Sequence, residues 1–193
     1  MKDVLDLAAQ ALRRGEIVAI PTESSYGLAV DALDEGALAR LFAVKGRAPT
    51  EPVPILVPDE AALEELVVSI PDVARSLMAR HWPGPLTIVL EARPEVPSLA
   101  CGGTGKIGVR VPGPCPAAEL LRLFRRPMTA TSANASGQPP TTRDDEVRRT
   151  FGPSIGVIVP GKAPGGPPST VVDATETPIR ILRRGSVRIE EGR

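Results

Sequence analysis

The sequence predicts a mixed α/β domain of the α+β kind: a twisted, open, mixed β-sheet flanked by helices. Three observations lead there. Runs with apolar residues three and four apart alternate along the chain with short, continuous apolar runs rich in Val and Ile. The alternation is not a strict strand–helix–strand repeat, so parallel and antiparallel neighbours are both expected. The length, 193 residues, is one at which a single core burying roughly 70% of the unfolded surface is the default, so 1–193 reads as one domain without internal repeats.

Val4, Leu5, Leu7, Ala8 and Leu12 mark a first helix that Gly15 ends, and Ile17–Ile20 is a buried strand followed by a polar loop, Pro21–Gly27. Glu35–Val44 is a second amphipathic helix, and Val53–Val57 a strand. Helices are expected at 59–67 and 72–81, before Trp82-Pro83-Gly84-Pro85 forces a turn. Strands follow at 86–90 and 107–111, then a helix at 117–124 and an extended run at 128–131. Thr142 and Asp145 have the spacing of a capping box for a helix ending near Phe151. Strands at 155–159, 170–172 and 179–182 complete the set. Between the first two of these, Gly161–Pro168 is too rich in Gly and Pro for regular structure and reads as a flexible cover or a surface crossing.

Lys+Arg 23 balance Asp+Glu 23, which argues against a protein that coats nucleic acid, because that affinity comes from many cation–phosphate contacts. A local basic cleft remains compatible with it. The single His, His81, excludes any mechanism needing two imidazoles. Cys101 and Cys115 have neither the spacing of a zinc site nor that of a disulfide framework and are expected to be free thiols. No apolar run approaches the ~18 residues of a membrane span, and Met1-Lys2-Asp3 begins no signal peptide. The expectation is a cytoplasmic protein without a membrane partner.

Four polar segments follow strands or helices, where α/β proteins place their sites. Thr22-Glu23-Ser24-Ser25-Tyr26 is either a hydroxyl-capped turn or a pocket for an amino acid or carboxylate. Lys45-Gly46-Arg47 either complements a helix dipole or offers an ammonium beside a guanidinium to a polyphosphate. Thr129–Gly137 contains the only Asn, Asn134, and is either a simple turn or an anion-binding loop. Ser169–Asp173 and Ile181–Gly185 read alone as an ordinary strand pair. There is no Walker A motif, nucleophile elbow or carboxylate dyad. An enzyme built this way works by positioning and charge stabilisation.

Together the segments resemble the YrdC-like family, which includes the L-threonylcarbamoyladenylate synthases of the t⁶A37 modification of tRNA. The carrying residues are Pro21–Leu28 (PTESSYGL), Lys45-Gly-Arg47, Trp82–Thr87 (WPGPLT), Val109–Pro112 (VRVP), Ser132-Ala-Asn134, Ser169–Asp173 (STVVD) and Leu182–Gly185 (LRRG), in order from about Gly15 to Gly185. The resemblance implies a transferase that makes threonylcarbamoyl-AMP and pyrophosphate from L-threonine, bicarbonate and ATP, with Mg²⁺ accompanying ATP. It implies catalytic roles for Lys45 and Arg47, and ATP binding by these with Ser132, Asn134, Thr142 and Arg183. Threonine would meet Thr22, Tyr26, Arg110, Ser132 and Ser169, Arg110 suiting the carboxylate. It implies a concave basic cleft, with tRNA or double-stranded RNA and t⁶A-pathway transferase proteins as further partners. Many relatives have a His where Leu56 stands and a small hydroxyl where Lys106 stands, and longer ones carry a second domain, so the short single-domain type is expected. The alternatives are a non-enzymatic RNA-binding module and a carbamoyl-transferring relative with another acceptor.

Overall fold

The computed structural model describes residues 1–135 and 137–189; Ser136, in the third polar segment, and residues 190–193 lie outside it. Helix α1 (Lys2–Arg13) buries Leu5, Ala8, Ala9 and Leu12 along one face. It stops where Gly15 turns to a φ of 71°. Strand β1 (Val18–Pro21) pairs antiparallel with β2 (Tyr26–Ala29). The expected loop therefore ends sooner than Gly27: all four β2 residues are buried, so no polar alternation announces the strand. Val18 and Ile20 face one core cluster while Ile17 and Ala19 face the other, as the pleat requires.

Helix α2 (Glu35–Lys45) begins where the Asp34 carboxylate accepts the Ala37 N–H at 2.9 Å and ends at Gly46, φ 61°. Strand β3 (Ile55–Leu56) follows. The α-helix expected over 59–67 is instead a 3₁₀ turn at Ala61–Glu65. Asp59 accepts the Ala62 N–H at 3.0 Å, and Val67 is already drawn out to bridge Ala92, which leaves too little chain for an α-helix. Helix α3 (Asp72–His81) has the expected bounds, His81 being its last residue, and the Trp82–Pro83 bond after it is cis.

Strand β4 (Leu86–Glu91), the short helix α4 (Ser98–Cys101), β5 (Lys106–Arg110) and α5 (Pro116–Phe124) come next, followed by β6 (Met128–Thr129) and β7 (Thr131–Ser132). Helix α6 (Asp144–Phe151) has no side-chain cap from Thr142. The hydroxyl of Thr141 lies at its start instead, accepting the Arg143 N–H at 3.2 Å and bonding the Glu146 carboxylate, without capping a helical N–H. Strands β8 (Val157–Ile158), β9 (Thr170–Asp173) and β10 (Arg180–Arg183) end the chain's regular structure among the described residues.

The expected single sheet is two. One runs β7-β2-β1-β8 and the other β10-β9-β4-β5-β3-β6, each with parallel and antiparallel pairs. The division falls at Ala130. β6 pairs with β3, and β7, beginning one residue later, pairs with β2, so the extended run at 128–131 passes from one sheet to the other. The main core draws Ala19, Tyr26 and Leu28 from the first sheet and Ile55, Ile88, Val109 and Val172 from the second. A second cluster packs α1 and α5 over Val18, Ile20, Ala29, Leu56 and Met128. Leu56 thus fills core space beside Arg110, its register neighbour. Cys101 and Cys115 are free thiols, as expected. No helix among the described residues is long and apolar enough to cross a membrane.

Candidate functional site

Lys45 is the last residue of α2, and the left-handed turn at Gly46 aims its side chain beneath the end of β7. Its ammonium, only 6% exposed, donates to the carbonyls of Ser132 (2.6 Å) and Asn134 (2.8 Å) and, at 3.4 Å, to Asn134 Oδ1. The Ser132 hydroxyl donates to the same Oδ1. Burial first, and the neighbouring Arg47 second, bring the Lys45 pKa down to about 8. The second and third polar segments, whose contacting residues are 87 and 89 positions apart, are thereby one cluster. Arg47 turns the other way: it donates to the carbonyls of Glu51 (3.1 Å) and Pro52 (2.6 Å), pairs with the Glu51 carboxylate at 3.6 Å and lies 6.0 Å from the Phe42 ring. It braces the loop after α2 while adding positive charge near Lys45.

A second cluster forms where β5 and β10 end and β9 begins. Ser169, just before β9, shares a hydrogen bond of 2.9 Å with Thr87 of β4, and Arg183 donates to the Ser169 carbonyl (2.9 Å) and hydroxyl (3.0 Å). Burial, and then the charge of Arg110, hold the Arg183 guanidinium below its ordinary pKa. Arg110, 9% exposed, is met by Glu23 at 3.1 Å. The cations of the expected basic cleft thus fall into two pairs, Lys45 with Arg47 and Arg110 with Arg183. Lys106 joins neither: it pairs with Asp173 at 3.2 Å and Glu176 at 3.6 Å, at the far end of β5.

The β1–β2 hairpin links the clusters. Gly27 pairs with Ser132, and the methyl of Thr22 lies so close that a Cβ on Gly27 would sit 3.3 Å from it. The Thr22 hydroxyl donates to the Ser25 carbonyl at 2.9 Å, so it serves its own turn. Tyr26 is fully buried, its hydroxyl bonded to the carbonyls of Val159 (2.8 Å) and Gly161 (3.0 Å), where the Gly161–Pro168 segment begins. Burial, then Asp144, pushes its pKa to about 12. A cavity of about 310 Å³ beside the first cluster is lined by Asn134, Gln138, Thr141, Glu146 and Arg149. Thr141 lines it rather than Thr142, whose carbonyl accepts the Ala163 N–H at 2.9 Å. Thr87, Thr141 and Glu23 were not singled out from sequence. Thr87 and Glu23 lie inside the motifs quoted above, and only their partners reveal what they do.

No group of three or more His, Cys, Asp or Glu that could hold a metal exists among the described residues. The carboxylates of Glu23 and Glu146, near the site, are already taken up by Arg110 and Thr141, and the remaining polar groups are cations, hydroxyls and carbonyls, so the set does not fit a resident metal ion.

The Sua5/YciO/YrdC family model, described as telomere recombination, matches residues 10–185. The threonylcarbamoyl-AMP synthase of Pyrococcus abyssi is 42% identical over 186 residues, 96% of this chain and 55% of that protein. A putative threonylcarbamoyl-AMP synthase of Mycobacterium tuberculosis is 37% identical over 95% of this chain and 84% of its own length. The crystal structure of P. abyssi Sua5 complexed with L-threonine superposes with a TM-score of 0.89, covering 94% of this chain and 54% of that one. The chain thus spans about half the length of the Pyrococcus protein. With the fold, the ordered motifs and a match across nearly all of the sequence in agreement, the chain belongs to the Sua5/YciO/YrdC family.

Proposed function

We propose that this protein is a threonylcarbamoyl-AMP synthase: L-threonine and bicarbonate give the N-carboxylated amino acid and water, a carbamate oxygen attacks the α-phosphorus of ATP, the bond to the β-phosphate oxygen breaks, and pyrophosphate leaves. The observation that carries the reading is the burial of the Lys45 ammonium against the Ser132–Asn134 strand end. Two of its bonds are short and one, at 3.4 Å, is weak. That third donor is the one a phosphate oxygen would take over. Lys45 and Arg47 offset charge accumulating on the polyphosphate, the Ser132 hydroxyl and the 310 Å³ cavity hold the nucleotide, and Arg110 with Ser169 takes the amino-acid carboxylate. Arg183 orders Ser169 from the neighbouring strand. Mg²⁺ would arrive with the triphosphate, and no protein ligand is assigned to it. The product would serve a t⁶A-pathway transferase acting on tRNA in the cytoplasm.

Pyrophosphate release by the purified protein tests this. Release should require both threonine and bicarbonate, and Lys45→Ala should lower it about 100-fold or more with the melting curve retained, the scale of removing one preorganised charge. A folded wild-type protein that releases no pyrophosphate under these conditions rejects the proposal.

A further inference from the structure

Among the described residues, Glu23 is the carboxylate that reaches into the Arg110–Arg183 cluster. Both of its oxygens approach the same nitrogen, Nη1 of Arg110, at 3.2 and 3.1 Å. A side-on pair would use two guanidinium nitrogens and fill the fork. Here, among the described residues, the Nη2 edge keeps its donors. Glu23 is itself fixed from outside the arginine: the Gly113 N–H donates to Oε1 at 2.8 Å, and the Cys115 thiol lies 3.8 Å from Oε2. Ser169 and Thr87, hydrogen-bonded to each other at 2.9 Å, and the Arg183 guanidinium on Ser169 supply the polar surroundings of this corner. Arg183 feels the charge of Arg110. Without Glu23, the Arg110 guanidinium would face the charge of Arg183 with no carboxylate of its own among the described residues.

We infer that Glu23 is a positioning residue for the amino-acid substrate: it clamps Nη1 of Arg110 and leaves the Nη2 edge aimed at the substrate carboxylate. The inference rests on the proposed synthase activity. Glu23 touches no reacting atom and acts through Arg110, keeping the arginine in place in the empty site at the cost of one of its two donor edges. The selectivity it supports is for an α-amino acid with a free carboxylate.

Steady-state kinetics of wild type, Glu23→Gln, Glu23→Asp, Arg110→Gln and the Glu23→Gln/Arg110→Gln double variant test it, alongside calorimetric titration with L-threonine. Glu23→Gln should raise the threonine KM about tenfold while kcat and the ATP KM stay within about twofold. Glu23→Asp, which keeps the charge on a shorter arm, should recover part of the loss. In the Arg110→Gln background Glu23→Gln should add less than about twofold, because its target is gone. A threonine KM unchanged in Glu23→Gln, a parallel rise in both KM values, or an undiminished effect without Arg110 overturns the inference. If Glu23→Gln does not fold, Glu23→Asp carries the same comparison, with a rise confined to the threonine KM as the expected result and none as the overturning one. A wild-type protein that binds no threonine overturns the synthase reading and this inference with it; equal threonine binding by wild type and Glu23→Gln overturns the inference alone.

Discussion

Burying an ammonium strips it of water, and Lys45 recovers that solvation from main-chain oxygens at 2.6 and 2.8 Å. Because burial and Arg47 lower its pKa to about 8, the charge thins as pH rises through that value. The free enzyme's kcat/KM for ATP should therefore fall above about pH 8, whereas kcat should fall only at higher pH, since a bound polyphosphate favours the protonated form. The stability sign is opposite to that of a salt-bridged lysine. Between about pH 8 and the unfolded value near 10.5 the unfolded chain holds the proton that the folded one has lost, so stability rises with pH across that window. Chemical denaturation of wild type beside Lys45→Met, at pH 7.5 and 10, should show the wild type gaining relative to the variant. At this scale the sequence was partly legible. Lys45 stands out in a chain that otherwise prefers Arg, and Asn134 as its only Asn. Their contact was not legible, because the acceptors are backbone carbonyls, which carry no residue-specific signal. Arg47 and Arg110 were read as substrate ligands, yet each already has a protein partner, and such partners can be known only once the chain has folded.

Elements with one polar face were read well. α3 matches its expected bounds, ended by Trp82-Pro83, and α2 extends by one residue to the terminal Gly46. β2 and α4 escaped notice: the first is buried throughout and the second is a single turn. The β9–β10 pair, unremarkable in sequence, positions Ser169 and Arg183, and Gly185 is what lets the two segments close. A Cβ there would lie 2.2 Å from the Pro168 carbonyl oxygen and 2.6 Å from the Ser169 carbonyl carbon, both backbone atoms. Gly185→Ala should therefore lose about 1–3 kcal/mol by overpacking, read as a lower urea midpoint, and raise the KM for substrate by freeing Arg183 from Ser169. Gly46→Ala is the contrast. Its Cβ would meet nothing within 4 Å, so only the left-handed backbone at φ 61° resists, at about 1 kcal/mol.

For the molecule as a whole, class and element order could be read from periodicity, but the split into two sheets could not. An extended run such as 128–131 has the same pattern whether its halves pair with one sheet or two, since pairing partners are set by distant parts of the chain. On the proposed function, threonine at one cluster and ATP at the other would meet across the hairpin that joins them. The crossing at Ala130 also bears on how the protein opens. The N–H of Thr129 bonds Val30, that of Ala130 bonds Pro54 and that of Ala133 bonds Tyr26, at 2.9, 2.9 and 2.7 Å. Consecutive amides here are thus tied to different parts of the fold, and local fraying cannot release them together. In native-state hydrogen exchange, Thr129, Ala130 and Ala133 should be among the slowest amides, exchanging only through the global opening that denaturant promotes, while the amides of Gly165 and Gly166 exchange in the first time points. The peptide segment that holds the buried lysine would then be the last part of the molecule to come apart.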